Sequence, residues 1–312
     1  MPALSNQLPT DLFDAPAEVV DRVTAQLTAA RQLRRLKWSA IFFVGFLHAG
    51  ALWALWHFSW RGFWTFAALQ WLTGAVGICL GYHRFLTHQS FKAPRFVAYL
   101  LTTLGCLANQ GGPIAWVATH RVHHAYSDQP DDPHSPKEGF WWAHMGWALC
   151  DNALLDDFNV YRRFAQDLAK DPYYRFLDRT HWLWSWLLAV PLYLWGGFST
   201  LLWGVFFRSV FVYHGTWLVN SAAHIWGYRT YETGEGSRNL WWVALISYGE
   251  GWHNNHHAFQ RSARHGMRWW ELDATYLTIR VMSWLQLASD LQLPTGAPAV
   301  LQPRPRLILP TT

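Results

Sequence analysis

Residues 63–88 read FWTFAALQWLTGAVGICLGYHRFLTH. The stretch 63–81 is apolar and long enough to cross a bilayer, which takes about 20 such residues. His83 and His88 follow at once. An apolar span that ends in histidines reads as a membrane helix presenting metal ligands at one face of the bilayer.

Working outward, residues 39–58 (SAIFFVGFLHAGALWALWHF) form a preceding span, with Ser59 to Gly62 as the tight turn between the two. Residues 182–199 and 201–223 form a second pair, split at Gly196-Gly197. Arg208 falls inside the last span and must face protein or water, because a charge facing lipid costs several kcal/mol (~3 or more). Composition agrees. Of 312 residues, 51% are hydrophobic and only 14% charged, against about 25% charged in ordinary soluble domains. The 23 tryptophans suit the membrane interface. A disordered, collagen-like or disulfide-rich protein is excluded. Cys79, Cys106 and Cys150 form neither a metal-ligand spacing nor an even set, which fits a reducing compartment. The net charge of +5 is modest, the basic residues form no large patch, and no nucleic-acid partner is expected.

The stretch 97–115 is apolar but interrupted by Asn109, Gln110, Gly111, Gly112 and Pro113, so a re-entrant or interfacial segment is expected there. Arg31, Arg34, Arg35 and Lys37 precede the first span, and only Arg61 lies in the turn after it. The positive-inside rule then places the N-terminus in the cytoplasm, and four spans return the C-terminus to that side. Residues 14–37 read as an amphipathic helix, with Asp14 as N-cap, Pro16 in the first turn and Val20, Val23, Leu27 and Ala30 as its stripe. The N-terminus lacks the apolar core of a cleaved signal peptide. The chain thus divides into an N-terminal cytoplasmic segment (1–37), a main domain (38–290) and a Pro-rich tail (291–312), expected to be extended or disordered.

The histidines decide the chemistry. His120, His123 and His124 form HRVHH, and His253, His256 and His257 form HNNHH. His224 ends NSAAH, right after the fourth span. On a helix, positions i, i+3 and i+4 share a face, so HxxHH aims three imidazoles together. In HxxxxH the rings stand roughly 140° apart on an α-helix, so His83 and His88 are free to serve neighbouring ions. With His83, His88 and His224 the total is nine rings, more than one ion accepts, which implies two ions. The four-span topology puts all of them on the cytoplasmic side. No histidine is followed by Glu, so the HExxH zinc-protease pattern is absent. Many imidazoles around two ions suit iron that activates dioxygen. Of the other histidines, His48, His57 and His214 sit in or at spans, while His134, His144, His181 and His265 read as supporting or surface groups. Asp128, Asp131 and Asp132 follow HRVHH as candidate acceptors of ligand N–H groups.

Together, HRFLTH, HRVHH, NSAAH and GEGWHNNHHAF resemble the membrane-bound delta-9 fatty acid desaturases, over about residues 38–290. The stretches DPH (132–134), GFWW (139–142), SARHG (262–266) and WWELD (269–273) resemble the bacterial and cyanobacterial acyl-lipid branch. The resemblance implies an all-α membrane protein, four transmembrane helices under a cytoplasmic helical cap, in the bacterial inner membrane. It implies two iron ions held by His83, His88, His120, His123, His124, His224, His253, His256 and His257, with Asn220 acting on one ion through water. It implies O2 as co-substrate and a cis double bond placed in a saturated acyl chain, lipid-linked or CoA-linked. Gln110, Trp116, Thr216 and Trp217 match positions that line the family's acyl tunnel. Where the acyl-CoA branch carries an Arg-Asp pair before the second box, this chain has Ala118 and Thr119, which favours a lipid-linked substrate. No HPGG haem motif is present, so electrons are expected from a separate ferredoxin or rubredoxin with its reductase. Two alternatives remain at this point: a di-iron membrane hydroxylase on the same scaffold, and a membrane electron carrier with haem between His48 and His214.

Overall fold

The computed structural model describes residues 35–304. The amphipathic segment expected over 14–37 lies almost wholly outside the described residues. Helix α1 spans Trp38–Trp56 and α2 spans Trp60–Thr87. Ser59 caps α2 by accepting from the Gly62 N–H at 3.0 Å, which makes the turn between them tight. From Trp71 onward α2 is a π-helix, so the second helix runs six residues past its expected end at 81 and carries His83 with it. Helices α3 (Arg95–Cys106) and α4 (Pro113–Tyr126) follow. Short helical turns fill the region from 136 to 169. Then come α5 (Pro172–Leu201), α6 (202–225), α7 (Trp241–Ile246), α8 (His253–Ala258) and α9 (Ala274–Trp284).

Among the described residues, three helices are long and apolar enough to cross a membrane: Trp38–Trp56, Trp60–Thr87 and Pro172–Ile225. The third is a hairpin. Trp186 and Phe206 have ring centroids 6.0 Å apart. Arg208 Nη2 lies 3.1 Å from Ser185 Oγ, although 23 residues of unbroken helix would separate them by about 34 Å. The chain reverses at Gly197, whose φ of 70° and ψ of −159° suit glycine. The outer faces of α1, α2 and α5 expose Phe42, Phe46, Trp53, Trp64, Leu187, Leu194 and Trp195, the surface a hydrocarbon solvent permits and water does not.

Helix α3 packs against α2 so closely that a side chain on Gly77 would meet the Leu104 backbone at 2.6 Å. The chain then turns through Asn109 and Gly111, both at positive φ, and α4 climbs back toward His83. This is the interrupted segment of the sequence, and it does not run on as one helix. Its tip would leave bare carbonyls deep among apolar helices, where each must be satisfied within the protein. Arg208 Nη1 and Ser185 Oγ both donate to Leu107 O at 2.6 Å, and the Tyr213 hydroxyl donates to Asn109 O at 2.6 Å. The arginine expected to face inward does so, and it caps the turn between α3 and α4. At the far end, the Pro-rich tail is extended and packed as far as 304: Ala299 N donates to Ala258 O and Leu301 N to Thr233 O, each at 2.8 Å.

Candidate metal centre

Four elements meet at one end of the apolar helices. The C-terminus of α2 brings His83 and His88, α4 brings His120, His123 and His124, the end of α6 brings His224, and α8 brings His253, His256 and His257. They form two groups. His83, His88, His120, His124 and His256 place one ring nitrogen each within 4.8 Å of the others, and His123, His224, His253 and His257 do the same.

The division differs from the pattern read on the HxxHH motifs. On α4, His120 and His124 go to the first group and His123 to the second. On α8, His253 and His257 go to the second group and His256 to the first. The physical reason is angular: neighbours i+3 and i+4 point about 100° apart and straddle the helix face. Each motif therefore gives two rings to one site and one to the other, in opposite senses. His83 and His88, which their spacing left free to serve one ion or two neighbouring ones, both join the first group. The π-helix closes the backbone five residues back, with His88 N on His83 O at 3.1 Å, and brings the rings to 4.7 Å.

Carboxylates orient the rings from outside. His83 Nδ1 lies 2.8 Å from Glu250 Oε2, His123 Nδ1 lies 3.0 Å from Asp132 Oδ1, and His224 Nδ1 lies 3.3 Å from Asp128 Oδ2. Glu235 stands 3.6 Å from His257 Nδ1. An N–H on Nδ1 leaves a bare lone pair on Nε2. Those Nε2 atoms face one another: His83 and His256 at 3.2 Å, His256 and His124 at 2.9 Å, His253 and His224 at 3.0 Å. Five ring nitrogens converge in the first group and four in the second, and neutral imidazoles gathered in such numbers fit metal ions. Burial, and then the neighbouring imidazoles, push His120, His124, His253, His256 and His257 well down, which keeps the rings neutral. Burial raises the Glu250 carboxyl, but Arg84, His83 and His265 outweigh it and hold it well below the usual range.

A largely apolar cavity reaches this centre. It is lined by Gln70, Gly74 and Tyr248 together with His83, His120, His253, Trp116 and Asn220. Thr216 also lines it. Gln110 lies behind the wall: its Nε2 donates to Thr216 Oγ1 at 2.8 Å and its Oε1 accepts from Trp116 Nε1 at 3.2 Å. Trp217 is not among the cavity's lining residues; it stacks on Tyr213 at 4.9 Å and meets His144 and His214 edge-on.

His48 and His214 do pair, but Nε2 to Nε2 at 3.1 Å, a direct hydrogen bond with no slot for a porphyrin between the rings. His144 extends that chain to Ser221. His134 packs on His123 at 4.4 Å, its pKa lowered to about 3 by burial first and His123 second. Sequence reading singled out neither Glu235 nor Glu250 as a partner, and it left His265 among the surface or supporting groups. The available signal for Glu250 was its place in GEGWHNNHHAF, three residues before His253.

The profile of the fatty acid desaturase family matches residues 60–283. The chain is 49% identical over 262 residues to the sn-1 stearoyl-lipid 9-desaturase of Anabaena variabilis, covering 83% of this chain and 95% of that one. It is 46% identical over 255 residues to the sn-2 palmitoyl-lipid 9-desaturase of Nostoc sp. (strain 36), covering 81% and 90%. It is 42% identical over 293 residues to the acyl-CoA 5-desaturase AL21 of Anemone leveillei, covering 94% and 91%.

Proposed function

This chain belongs to the fatty acid desaturase family, and from that premise we propose that it is an acyl-lipid delta-9 desaturase. It converts R–CH2–CH2–R′, O2, two electrons and two protons into cis R–CH=CH–R′ and two waters. Two electrons of the four that reduce O2 leave with the substrate hydrogens, and two come from a separate ferredoxin or rubredoxin. The observation that carries the reading is the junction of a largely apolar cavity with both histidine groups. Ala118 and Thr119, and the lipid-linked substrates in the names of the Anabaena and Nostoc relatives, support a lipid-linked chain.

In this reading His83, His88, His120, His124 and His256 would hold one iron, and His123, His224, His253 and His257 the other, with Asn220 of the cavity wall acting on one of them through water. When bound, the irons supply the O2-derived oxidant that an unactivated methylene C–H requires. The chain's own residues do the rest. Glu250, Asp132 and Asp128 fix the imidazole tautomers. Gln110 locks Trp116 and Thr216 in the cavity wall, which holds the acyl chain against both sites. The apolar walls exclude water from the reacting carbons. Four helical segments, α1, α2, α5 and α6, cross the bacterial inner membrane, and the histidines lie on its cytoplasmic side.

The test is product analysis in a host that supplies ferredoxin. Double bonds are located by mass spectrometry of derivatised fatty acids, separated by lipid class. New delta-9 monoenes in glycerolipids are expected; hydroxylated chains would move the protein to the oxygenase reading.

A further inference from the structure

The stretches SARHG (262–266) and WWELD (269–273) have no role in the scheme so far, yet they fold as one loop against the metal centre. Asp273 Oδ2 accepts the His265 N–H at 2.7 Å and Arg84 Nη1 at 2.9 Å. Glu271 Oε2 accepts the Met267 N–H at 2.6 Å and Asn255 Nδ2 at 2.9 Å. The loop is therefore tied to α2 beside His83 and to α8 between His253 and His256.

What the loop delivers is His265. The residue is fully buried. Its ring lies 4.4 Å from that of His256 and 5.6 Å from that of His83. Its Nδ1 stands 2.9 Å from Glu250 Oε2, the same oxygen that lies 2.8 Å from His83 Nδ1. Arg84 occupies the other oxygen, at 3.0 Å from both Nε and Nη2. Glu250 is thus held from three sides, and among the described residues His83 and His265 share Oε2. Packing does not explain a histidine here. Neither ring nitrogen completes a well-aligned hydrogen bond among the described residues; the ring's close polar contact is the 2.9 Å approach of Nδ1 to Glu250 Oε2, and burying unsatisfied nitrogens costs about 1–3 kcal/mol each.

We propose that His265 is a positioning residue for the first metal ion: it donates to Glu250 Oε2, sets the carboxylate against His83, and so fixes the direction of the His83 lone pair. The inference rests on the di-iron reading above and adds a tenth histidine to it. A partner of this kind is worth roughly 10–100-fold in metal affinity.

The experiment reads metal, not product. The full chain is purified in detergent, and iron per chain and iron release to a chelator are measured for wild type, His265→Leu, His265→Gln and the control His181→Ala, a histidine that belongs to neither group. Leu fills the space without a donor; Gln keeps an N–H for Glu250. The expected result is that His265→Leu releases one of its two irons at least tenfold faster, with a changed Mössbauer doublet for that ion alone. His265→Gln recovers most of the difference, and His181→Ala equals wild type. Wild-type retention in His265→Leu, or a His265→Gln that behaves like His265→Leu, overturns the proposal. Wild type that binds two irons yet makes no monoene removes the desaturase reading and leaves this one standing; wild type that binds none removes both.

Discussion

The backbone N–H of His88 donates to the carbonyl of His83 across 3.1 Å, and their rings meet edge-to-face at 4.7 Å. An α-helix would send those side chains roughly 140° apart. The π-helix turns HxxxxH into a pair that faces one ion, and close packing of α3 against α2 supports it. A Cβ on Gly77 would lie 2.6 Å from the Leu104 backbone, whereas one on Gly45 meets nothing within 4 Å. Gly77→Ala should therefore cost about 1–3 kcal/mol of stability and lower bound metal, while Gly45→Ala changes neither. Thermal unfolding in detergent with metal analysis checks both, and equal behaviour of the two variants would count against the packing argument.

Asp132 is buried and serves two tasks: it accepts from His123 Nδ1 at 3.0 Å and from the Asp128 N–H at 2.9 Å. Burial raises its carboxyl, but His123 and His134 bring it down, so it is ionised at neutral pH. Asp132→Asn should weaken metal binding about 10–100-fold at the second ion and leave the first in place. Competition with a chelator, followed spectroscopically, measures it. Loss of the first ion instead would show that the grouping of ligands is wrong.

Acid should release the metal and lower the stability of the fold together. The imidazoles of His120, His124, His253, His256 and His257 have folded-state pKa values pushed below the ordinary one by burial first. Below about pH 6.5 the unfolded chain takes up protons that the folded chain refuses, so stability is full above that value and falls as pH falls. Metal content and thermal midpoint should be flat near neutrality and drop together below about pH 6.5, with more than one proton taken up per metal lost. A midpoint that rises on acidification would contradict the neutral, inward-facing rings.

Arg208 contacts three separate segments, through Thr73 at 3.1 Å, Leu107 O at 2.6 Å and Ser185 at 3.1 Å. Arg208→Met leaves those groups short of a donor deep in the protein and should cost about 3 kcal/mol or more. Arg208→Lys should recover little, because one ammonium cannot reach partners spread around a planar fork. The readout is thermal unfolding, and an unchanged midpoint in Arg208→Met would remove the capping role.

Much of this was written locally in the sequence. Apolar length gave the helices, Gly196-Gly197 gave the reversal between α5 and α6, and helical spacing marked nine histidines that the fold gathers. Three things were not local. The π-helix in α2 is a backbone choice that a composition of ordinary apolar residues does not announce. The split of each HxxHH between two sites depends on where the opposing helix stands. Glu250 and His265 act on His83 from more than 160 residues away, a distance at which spacing carries no signal. Asp132 was closer to legible, since nine residues separate it from His123.

The central claim is tested most directly with the purified, iron-loaded protein in lipid nanodiscs, supplied with ferredoxin, its reductase and O2. A stearoyl glycerolipid is offered in one reaction and stearoyl-CoA in another. The account predicts one cis delta-9 bond formed per O2 consumed on the glycerolipid, with little turnover of the CoA ester. Faster turnover of stearoyl-CoA would contradict the lipid-linked substrate, and O2 consumption that yields hydroxylated chains would contradict desaturation itself.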